Sequence, residues 1–415
     1  MLPLPVAPRS FADRPLAAWL AEWEAFVPRP VAERVARAIW RGEGERLGEL
    51  PQVTRALRDA LASVPTRLEL PPVRARSESA DGATKLLLEL AGGRTVETVL
   101  IPEARRTASR ARMQEALAPR ARRRIERRPV RASGCISTQV GCGVGCAFCA
   151  SGLEGLVRNL DASEVLAQVV HLRAEAEARG LHLGTLVVMG MGEPFHNQEA
   201  LFPALEHLTH PAGLRIGPNW VTVSTIGVAA GIERLLREGP RTNLAVSLHA
   251  PDDATRQAIV PLARRLPPVA ELIELAAAYG REARREVSLG YVLLDGVNDD
   301  PARARELARL LAPHPRLHVN LIPWNPVEGM GFAASPRERV SAFFQALRDA
   351  GVPTHVRRQR GAEADAACGQ LRMRTAWRGL SGCAWADRRG PARSASRSGS
   401  APAGPGSAPG PAAGP

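Results

Sequence analysis

Three cysteines stand close together in Cys142-Gly-Val-Gly-Cys146-Ala-Phe-Cys149, a C-x3-C-x2-C pattern. Iron–sulfur clusters are held by cysteine thiolates, and a four-iron cluster normally takes one thiolate for each iron. Three cysteines therefore leave one iron open to an exchangeable ligand. Such an iron can chelate the amino and carboxylate groups of S-adenosylmethionine and cleave its carbon–sulfur bond to make a carbon radical. Phe148, directly before the third cysteine, is consistent with this chemistry.

A structural zinc site is the alternative interpretation of these thiols, together with plain buried cysteines. Zinc sites usually combine two C-x2-C or H-x3-5-H pairs, so that protein ligands fill all four positions. No second pair accompanies the triplet in this sequence. The spacing therefore favours the cluster, with zinc as a minor alternative.

Further polar residues stand where predicted strands end. A predicted strand at Thr185–Met189 runs into Gly190-Met-Gly-Glu193-Pro, where the glycines let backbone carbonyls approach a ligand. Glu193 could accept a hydrogen bond from an ammonium group. Taken alone, each of the other strand-end residues is more readily a cap or turn residue than a ligand contact. These residues are Ser224, Ser247, His249 and Asn325.

From Cys135 to about Arg360 the pattern alternates strands with helices, which predicts a parallel β/α barrel, complete or partial. Asp161 and Glu164 give the capping-box signature of a helix that Gly180 ends. In such barrels the chemistry lies at the carboxyl ends of the strands. The predicted strands are Thr185–Met189, Trp220–Ser224, Asn243–Ser247, Glu286–Leu294, Leu317–Ile322 and Thr354–Arg357.

The first 103 residues predict two accessory parts. Residues 1–70 are interpreted as a helical domain whose aromatic side chains, such as Trp19 and Trp23, recur at helical spacing and form a core. Residues 71–103 predict a β-hairpin, because strands at 85–90 and 95–101 flank Ala-Gly-Gly-Arg and Pro102 closes the second strand.

Positive charge is concentrated in residues 104–132. Eleven arginines stand there against two glutamates, Glu115 and Glu126. This Arg-rich insertion is expected to be either a flexible, solvated segment or an arm that neutralises RNA phosphates. Residues 387–415 consist of Arg, Ser, Gly, Pro and Ala in low complexity, which predicts a disordered tail.

The 415 residues suffice for one large α/β domain and a smaller one. The net charge of +13 favours an anionic partner such as nucleic acid, although a coding bias towards arginine has the same effect. Four of the six cysteines crowd between positions 135 and 149, unlike the disulfide framework of a small secreted domain. Because signal-peptide and membrane-span patterns are both missing from the sequence, we expect a cytoplasmic protein without membrane contact. We also expect a monomer.

Together these residues resemble the RlmN/Cfr family of radical-SAM RNA methyltransferases, over roughly residues 30–103 and 133–378. The resemblance implies an α/β fold in which residues 133–378 form a partial (β/α) radical-SAM barrel ending in a catalytic cysteine loop. It rests on Val96-Glu97-Thr98-Val99, Cys135-Ile-Ser-Thr-Gln-Val-Gly-Cys142, Arg158-Asn159-Leu160, Met189-Gly-Met-Gly-Glu-Pro194, Ser247-Leu-His-Ala-Pro251, Asn320-Leu-Ile-Pro-Trp-Asn-Pro326 and Asp365-Ala-Ala-Cys368-Gly-Gln-Leu371.

The resemblance also implies a role for each site residue. Cys368 would be the thiol that is methylated during turnover, Cys135 its redox partner and Glu97 the proton acceptor. The [4Fe–4S] cluster would be held by Cys142, Cys146 and Cys149. S-adenosyl-L-methionine would be bound by Gly192, Glu193, Ser224, Ser247, Leu248, His249 and Asn325.

The implied reaction methylates C2 of an adenosine in 23S rRNA, with tRNA as a second candidate substrate and flavodoxin or ferredoxin as electron donor. Such an electron-poor carbon cannot displace a methyl group from a sulfonium, so the Cys368 thiolate takes it first. A 5′-deoxyadenosyl radical then removes a hydrogen from that methyl group, the methylene radical adds to the ring, and a base removes the ring proton. Attack of Cys135 on the Cys368 sulfur releases the product and leaves a disulfide.

Some features depart from the family pattern. The Arg-rich insertion lengthens the tether between Glu97 and the cluster region, which a surface loop absorbs at small entropic cost. Ser224-Thr-Ile-Gly and Gly155-Leu156 favour the C8-methylating branch. Glu193-Pro194, Trp324-Asn325-Pro326 and the N-terminal helical domain favour C2 methylation, which we prefer. A radical enzyme with a non-RNA substrate and a non-catalytic RNA-binding protein are the other hypotheses. Cys383 lies beyond the region of resemblance and receives no role.

Overall fold

One ten-stranded sheet organises the computed structural model, which describes residues 10–66, 69–103, 130–327 and 329–357. These residues belong to one compact unit, Met1–Thr375. Cys368, Cys383, nearly all of the Arg-rich insertion and the low-complexity tail lie outside them. The strands are β1 (Val73–Glu78), β2 (Thr84–Glu89), β3 (Thr95–Pro102), β4 (Val130–Cys135), β7 (Leu181–Val188), β8 (Val221–Thr225), β9 (Asn243–Ser247), β10 (Val287–Leu293), β11 (Leu317–Pro323) and β12 (Thr354–Val356), with β5 (Gln139–Gly141) and β6 (Leu156–Asn159) forming a separate pair.

Helices connect these strands. The capping box of Asp161 and Glu164 starts α4 as predicted, and Gly180, with a φ of +64°, follows its end. Within the described residues, no helix has both the length and the apolar character needed to cross a membrane. The helices are α1 (Leu16–Trp23), α2 (Arg29–Trp40), α3 (Arg55–Leu61), α4 (Ala162–Ala178), α5 (Gln198–Thr209), α6 (Ala229–Glu238), α7 (Asp253–Ile259), α8 (Val269–Ala283), α9 (Pro301–Leu311) and α10 (Arg337–Asp349).

Seven neighbouring strands run parallel, in the order β4-β7-β8-β9-β10-β11-β12. Parallel strands need crossover connections, which α4 to α10 supply. Each of the six strands predicted for this region overlaps an observed one. The described strands form an open sheet rather than a closed ring, and the expected partial β/α barrel is confirmed.

Three antiparallel strands extend the sheet beyond β4. β2 and β3 pair as the predicted hairpin, and β3 pairs in turn with β4. The sequence did not predict β1, whose Val-Arg-Ala-Arg-Ser-Glu is charged and exposed, as is usual for an edge strand. It did not predict β4 either, because Val-Arg-Ala-Ser-Gly-Cys contains few residues that favour strands.

Side chains alternate between the two faces of this extension. One face packs against α4 in the main apolar core through Leu86, Leu88, Val96, Leu100 and Ala132. The opposite face is also buried, yet its residues lie outside that core, and it holds the groups with chemical potential. Its members are Lys85, Leu87, Glu97, Val99 and Cys135.

The N-terminal helices build a second apolar cluster. The rings of Trp19 and Trp23 are buried and stack with Phe11, which confirms that these aromatics serve as core. This cluster meets the barrel at α5, where the buried His207 ring contacts Phe11 and Trp40 edge-on. His207 Nε2 donates to the Arg14 carbonyl at 2.9 Å, so the contact is both apolar and hydrogen-bonded.

Candidate active site at the carboxyl ends of the parallel strands

The loop between β5 and β6 carries the three clustered cysteines. Gly141 and Gly145 adopt φ values of +76° and +69°, which allow the chain to turn sharply around the thiols. The Cys142 N–H donates to the Gly155 carbonyl at 2.9 Å, and the Ala147 N–H donates to the Ile259 carbonyl at 2.9 Å. The loop is therefore fixed both to its own strand pair and to the end of α7.

The three thiols influence one another electrostatically. Burial raises the pKa of Cys142 to about 11, and nearby Cys149 and Glu193 also raise it. Burial likewise raises the pKa of Cys146 well above its ordinary value, with contributions from Cys149 and Cys142. Thiolates that converge in such a place need bound positive charge to stay ionised, as iron supplies.

The donor set of this loop consists of thiols, which are the usual protein ligands of iron–sulfur clusters. Each thiolate of a four-iron cluster binds a different iron. The electrostatically coupled Cys142, Cys146 and Cys149 are therefore the residues that would hold a cluster.

Gly192 and Glu193 follow β7 and are held by Gln139 of β5. The φ of Gly192 is +105°, and a Cβ atom there would lie 2.6 Å from the Gln139 Cβ. The Glu193 carboxylate accepts hydrogen bonds from the N–H groups of Phe195 at 3.1 Å and Ile226 at 2.9 Å. Burial raises the pKa of Glu193 to about 7. The carboxylate thus connects the end of β7 to the end of β8. The contact of Glu193 with an ammonium group stays a prediction.

Ser224 and Ser247 lie half-buried on one face of the sheet. Ser224 pairs with Ala245, two residues before Ser247 on β9, so the two hydroxyl side chains point to the same side. Leu248 beyond them is fully buried, and Asn325 is half-buried in the segment after β11. The structure therefore places these predicted ligands at the same edge of the parallel sheet.

His249 adopts a left-handed backbone with a φ of +64°. Its Nδ1 accepts the N–H of Val292 at 3.1 Å, and burial lowers the pKa of the ring to about 3. The imidazole is therefore neutral at physiological pH. Its ring packs edge-on against Phe148, with 4.9 Å between the ring centroids. His249 thus links the end of β9 to the cysteine loop.

Arg256 on α7 is a part of this site that sequence reasoning missed. Its guanidinium is 1% exposed and donates to the carbonyls of Leu248, Ile226 and Ser247, where β8 and β9 end. Burial lowers the pKa of Arg256 to about 10, and its charge favours the thiolate form of Cys146. Nothing in the sequence around Arg256 distinguishes it from the many arginines on exposed helix faces.

Glu97 and Cys135 lie on adjacent strands. Cys135 is a buried thiol at the end of β4 and lies opposite Val99, two residues along β3 from Glu97. Both side chains therefore project from the same face of the sheet. The Glu97 carboxylate is buried, with the Lys85 ammonium 3.9 Å from its Oε1. Cys368, the predicted partner of Cys135, lies outside the described residues.

Known proteins share this architecture and sequence. Residues 136–308 match the Radical SAM superfamily. The probable dual-specificity RNA methyltransferase RlmN of Chloroflexus aurantiacus is 42% identical over 352 residues, which are 82% of this chain and 86% of that protein. The chain belongs to the RlmN/Cfr family of radical-SAM RNA methyltransferases. It is an enzyme.

Further relatives agree with this membership of the RlmN/Cfr family. The dual-specificity RNA methyltransferase RlmN of Sorangium cellulosum is 41% identical over 387 residues, covering 88% of this chain and 96% of that protein. The crystal structure of a radical SAM methyltransferase from Sphaerobacter thermophilus superposes with a TM-score of 0.71 at 40% identity. That similarity covers 88% of this chain and 99% of the other. Membership in this family implies a [4Fe–4S] cluster and S-adenosylmethionine, which the cysteine loop and strand ends suit.

Proposed function

We propose that this enzyme methylates C2 of an adenosine in 23S rRNA, and of tRNA as a second substrate, through an S-methylated Cys368. The observation that carries the proposal is the placement of Glu97 and Cys135. Both are buried on one face of the sheet. That same face continues into the strand ends that carry Ser224 and Ser247. This placement supports a reaction in which Glu97 acts as the proton acceptor and Cys135 as a thiol partner.

Two groups of residues would bind the cofactors. Cys142, Cys146 and Cys149 would hold the [4Fe–4S] cluster, which supplies the electron that cleaves S-adenosylmethionine to a 5′-deoxyadenosyl radical. S-adenosylmethionine would be bound by Gly192, Glu193, Ser224, Ser247, Leu248, His249 and Asn325.

The remaining work falls to three side chains of the protein. Cys368 would accept a methyl group as its thiolate and later carry the carbon to the adenine ring. Glu97, buried beside a cation, would take the ring proton as a carboxylate. Cys135 would attack the Cys368 sulfur, breaking its bond to the RNA-bound carbon, which takes up a proton, and forming a disulfide. The one electron left over from the radical addition would pass to an electron acceptor such as the oxidised cluster.

The names of relatives support an RNA substrate. Several are called dual-specificity RNA methyltransferases, and one from Nitrosopumilus maritimus is called ribosomal RNA large subunit methyltransferase N. That relative is 39% identical over 348 residues. We further propose that the enzyme acts in the cytoplasm as a monomer, with flavodoxin or ferredoxin as electron donor. Methylation at C8, of the Cfr type, is the second candidate because Ser224-Thr-Ile-Gly favours that branch.

The test is an anaerobic assay with reconstituted enzyme, reductant, S-adenosylmethionine and protein-free ribosomal RNA. Mass spectrometry of the digested nucleosides should find 2-methyladenosine. Cys368→Ala should abolish it, whereas Cys383→Ala, a matched cysteine variant outside the proposed chemistry, should leave it unchanged. Finding 8-methyladenosine instead would move the enzyme to the C8 branch. Accumulation of 5′-deoxyadenosine without either product would mean a radical enzyme with another substrate.

A further inference from the structure

The chain has 55 Lys and Arg residues in total. Lys85 is the only lysine among them, and all the others are arginine. Arginine has thus filled the basic positions of surface helices, strands and the Arg-rich insertion alike. The single lysine lies on β2 of the hairpin and is 1% exposed. Buried lysine is rare because an ammonium group loses its hydration there, so its position needs a specific explanation.

The structure gives Lys85 a charged neighbour. Its Nζ lies 3.9 Å from Oε1 of Glu97, and both side chains are almost completely buried. This separation is that of an ion pair rather than of a direct hydrogen bond. Lys85, Val99 and Cys135 stand directly opposite one another on three successive strands, on the face that also carries Glu97. The ammonium therefore belongs to the surface that holds the proposed proton acceptor and thiol.

An arginine at position 85 would fit this buried site less well than the lysine does. Arginine is larger and planar, and it presents five N–H donors that all need acceptors when buried. The neighbouring positions Leu87 and Val99 are apolar and buried, and Ser77, opposite Lys85 on β1, offers a single hydroxyl. A lysine presents a compact charge on a slender apolar stem. A lysine therefore suits this buried position better than an arginine would.

We propose that Lys85 is a positioning residue for the reaction, whose buried ammonium keeps the Glu97 carboxylate ionised and so able to accept the proton. This inference rests on the proposed function, in which Glu97 takes the proton from the adenine ring. That proton passes to the carboxylate and gives a neutral carboxylic acid. Lys85 stays protonated throughout and transfers nothing.

The other charges around Glu97 leave this assignment intact. On the same face of the described strands, the further ionisable side chains near Glu97 are Cys135 and Glu89. Glu89 is bonded to Arg74 of β1, so its charge is already balanced. The β5 strand that contacts β3 consists of Gln139, Val140 and Gly141, none of them ionisable. Lys85 is thus a cation of the described strands whose ion pair with Glu97 the structure gives directly.

The first test is the pH dependence of a single turnover by enzyme already methylated on Cys368. In Lys85→Met, the acidic limb of the pH–rate profile should move to higher pH. The single-turnover rate near pH 6 should then fall about tenfold or more, while the rate near pH 9 approaches that of wild type. Lys85→Arg keeps the charge and should retain part of the low-pH rate if it folds. Arg94→Met, which removes an exposed cation from the turn between β2 and β3, should leave this limb in place. An equal loss at every pH in Lys85→Met would overturn the proposal, since a merely structural lysine predicts that result.

A second measurement needs no catalysis and uses the native single lysine. Lysine labelled with 13C at Cε gives one protein resonance, whose chemical shift follows the protonation of Lys85. If the ammonium and carboxylate are coupled, Glu97→Gln should lower the titration midpoint of Lys85 by about one pH unit or more. Superimposable titrations would overturn the proposal even if Lys85→Met does not fold. A wild-type enzyme that makes no methyladenosine would instead refute the proposed function, and this titration would still decide the coupling.

Discussion

The indole Nε1 of Trp324 donates a hydrogen bond to the backbone carbonyl of Phe148 at 2.9 Å. Trp324 follows β11, while Phe148 lies between the second and third cysteines, 176 positions earlier in the chain. The bond therefore links the carboxyl end of β11 to the cysteine loop. Together with the Phe148 ring on His249, it fixes the loop from two strand ends.

Trp324→Phe should loosen this loop while keeping an aromatic ring in place. The Phe148 carbonyl loses its donor, which costs about 1 to 2 kcal/mol for a partly buried group. We expect the variant to release iron to a chelator several times faster than wild type under anaerobic conditions. Trp220→Phe, at a tryptophan that is 48% exposed, is the matched control and should behave as wild type. Equal release from all three proteins would contradict the assigned role of the Trp324 bond.

Two glycines in the cysteine loop should respond very differently to alanine. A Cβ atom at Gly141 would lie 2.0 Å from the Gly155 carbonyl oxygen, whereas at Gly145 nothing lies within 4 Å. Both have positive φ, so each substitution costs about 1 kcal/mol of backbone strain. Gly141→Ala should additionally separate β5 from β6 and lose most of the reconstituted iron and sulfide. Similar iron content in the two variants would show that the loop tolerates this displacement.

Cys135→Ala should stop the proposed reaction after the carbon has joined the ring. Without the Cys135 thiol, no group attacks the Cys368 sulfur, so enzyme and RNA remain covalently linked. A denaturing gel with labelled RNA should show the linked species in stoichiometric amounts with Cys135→Ala. Cys383→Ala should show none above wild type. Free methylated RNA from Cys135→Ala would mean that another thiol resolves the intermediate.

The buried His207 should make stability depend on pH. Burial lowers its pKa from the ordinary 6.5 to about 4, against the opposing hydrogen bond to Arg14. Between about pH 4 and pH 6.5, His207 is therefore protonated in the unfolded chain but neutral in the folded chain. Stability should be constant above about pH 6.5 and fall as the pH drops towards 4, by up to about 3 kcal/mol.

Thermal melting at pH 7.5 and pH 5 checks this expectation. His207→Gln should lose less stability between the two pH values than wild type does, because the titrating group is gone. His182→Gln, at an exposed histidine, should follow wild type. An unchanged pH dependence in His207→Gln would assign the acid sensitivity to other groups.

The sequence predicted the residues whose chemistry is recognisable from type and spacing. The cysteine triplet, the strand ends and the α4 capping box all follow from local patterns, and the hairpin follows from its turn. It could not predict Arg256, because the carbonyls it bonds come from two strands that only the fold brings together. Nor could it predict that Lys85 is a neighbour of Glu97, because this depends on the exact register of the hairpin, in which Lys85 lies opposite Val99. The left-handed backbone of His249 likewise depends on packing around the end of β9.

The two ends of the Arg-rich insertion are held together by strand pairing. The sequence suggested a lengthened tether between Glu97 and the cluster region that a surface loop could absorb, and β3 and β4 pair directly, with Pro102 opposite Ala132. The Glu103 N–H also donates to the Arg131 carbonyl at 2.8 Å. Strand pairing therefore brings the two ends of the insertion together. The spacing of Glu97 and Cys135 is set by this pairing and not by the number of residues in the insertion.

Replacing residues 104–129 with a short Gly-Ser turn should consequently leave melting temperature and iron content unchanged. RNA affinity should fall, and the slope of log affinity against log salt should become shallower by about 0.7 to 0.9 for each phosphate that the protein no longer neutralises. A variant of full length with glutamine in place of these arginines should reproduce the shallower slope. Identical slopes in all three proteins would show that the insertion does not bind RNA.

The paired base of the insertion has one more consequence. Glu97 and Cys135 stand 38 positions apart along the chain but a single strand-to-strand step apart in space, so the two measures of distance are independent here. Strand pairing sets the spacing of Glu97 and Cys135, whatever the number of residues between β3 and β4. The segment between these strands is thus a position at which the sequence is expected to change independently of the candidate site.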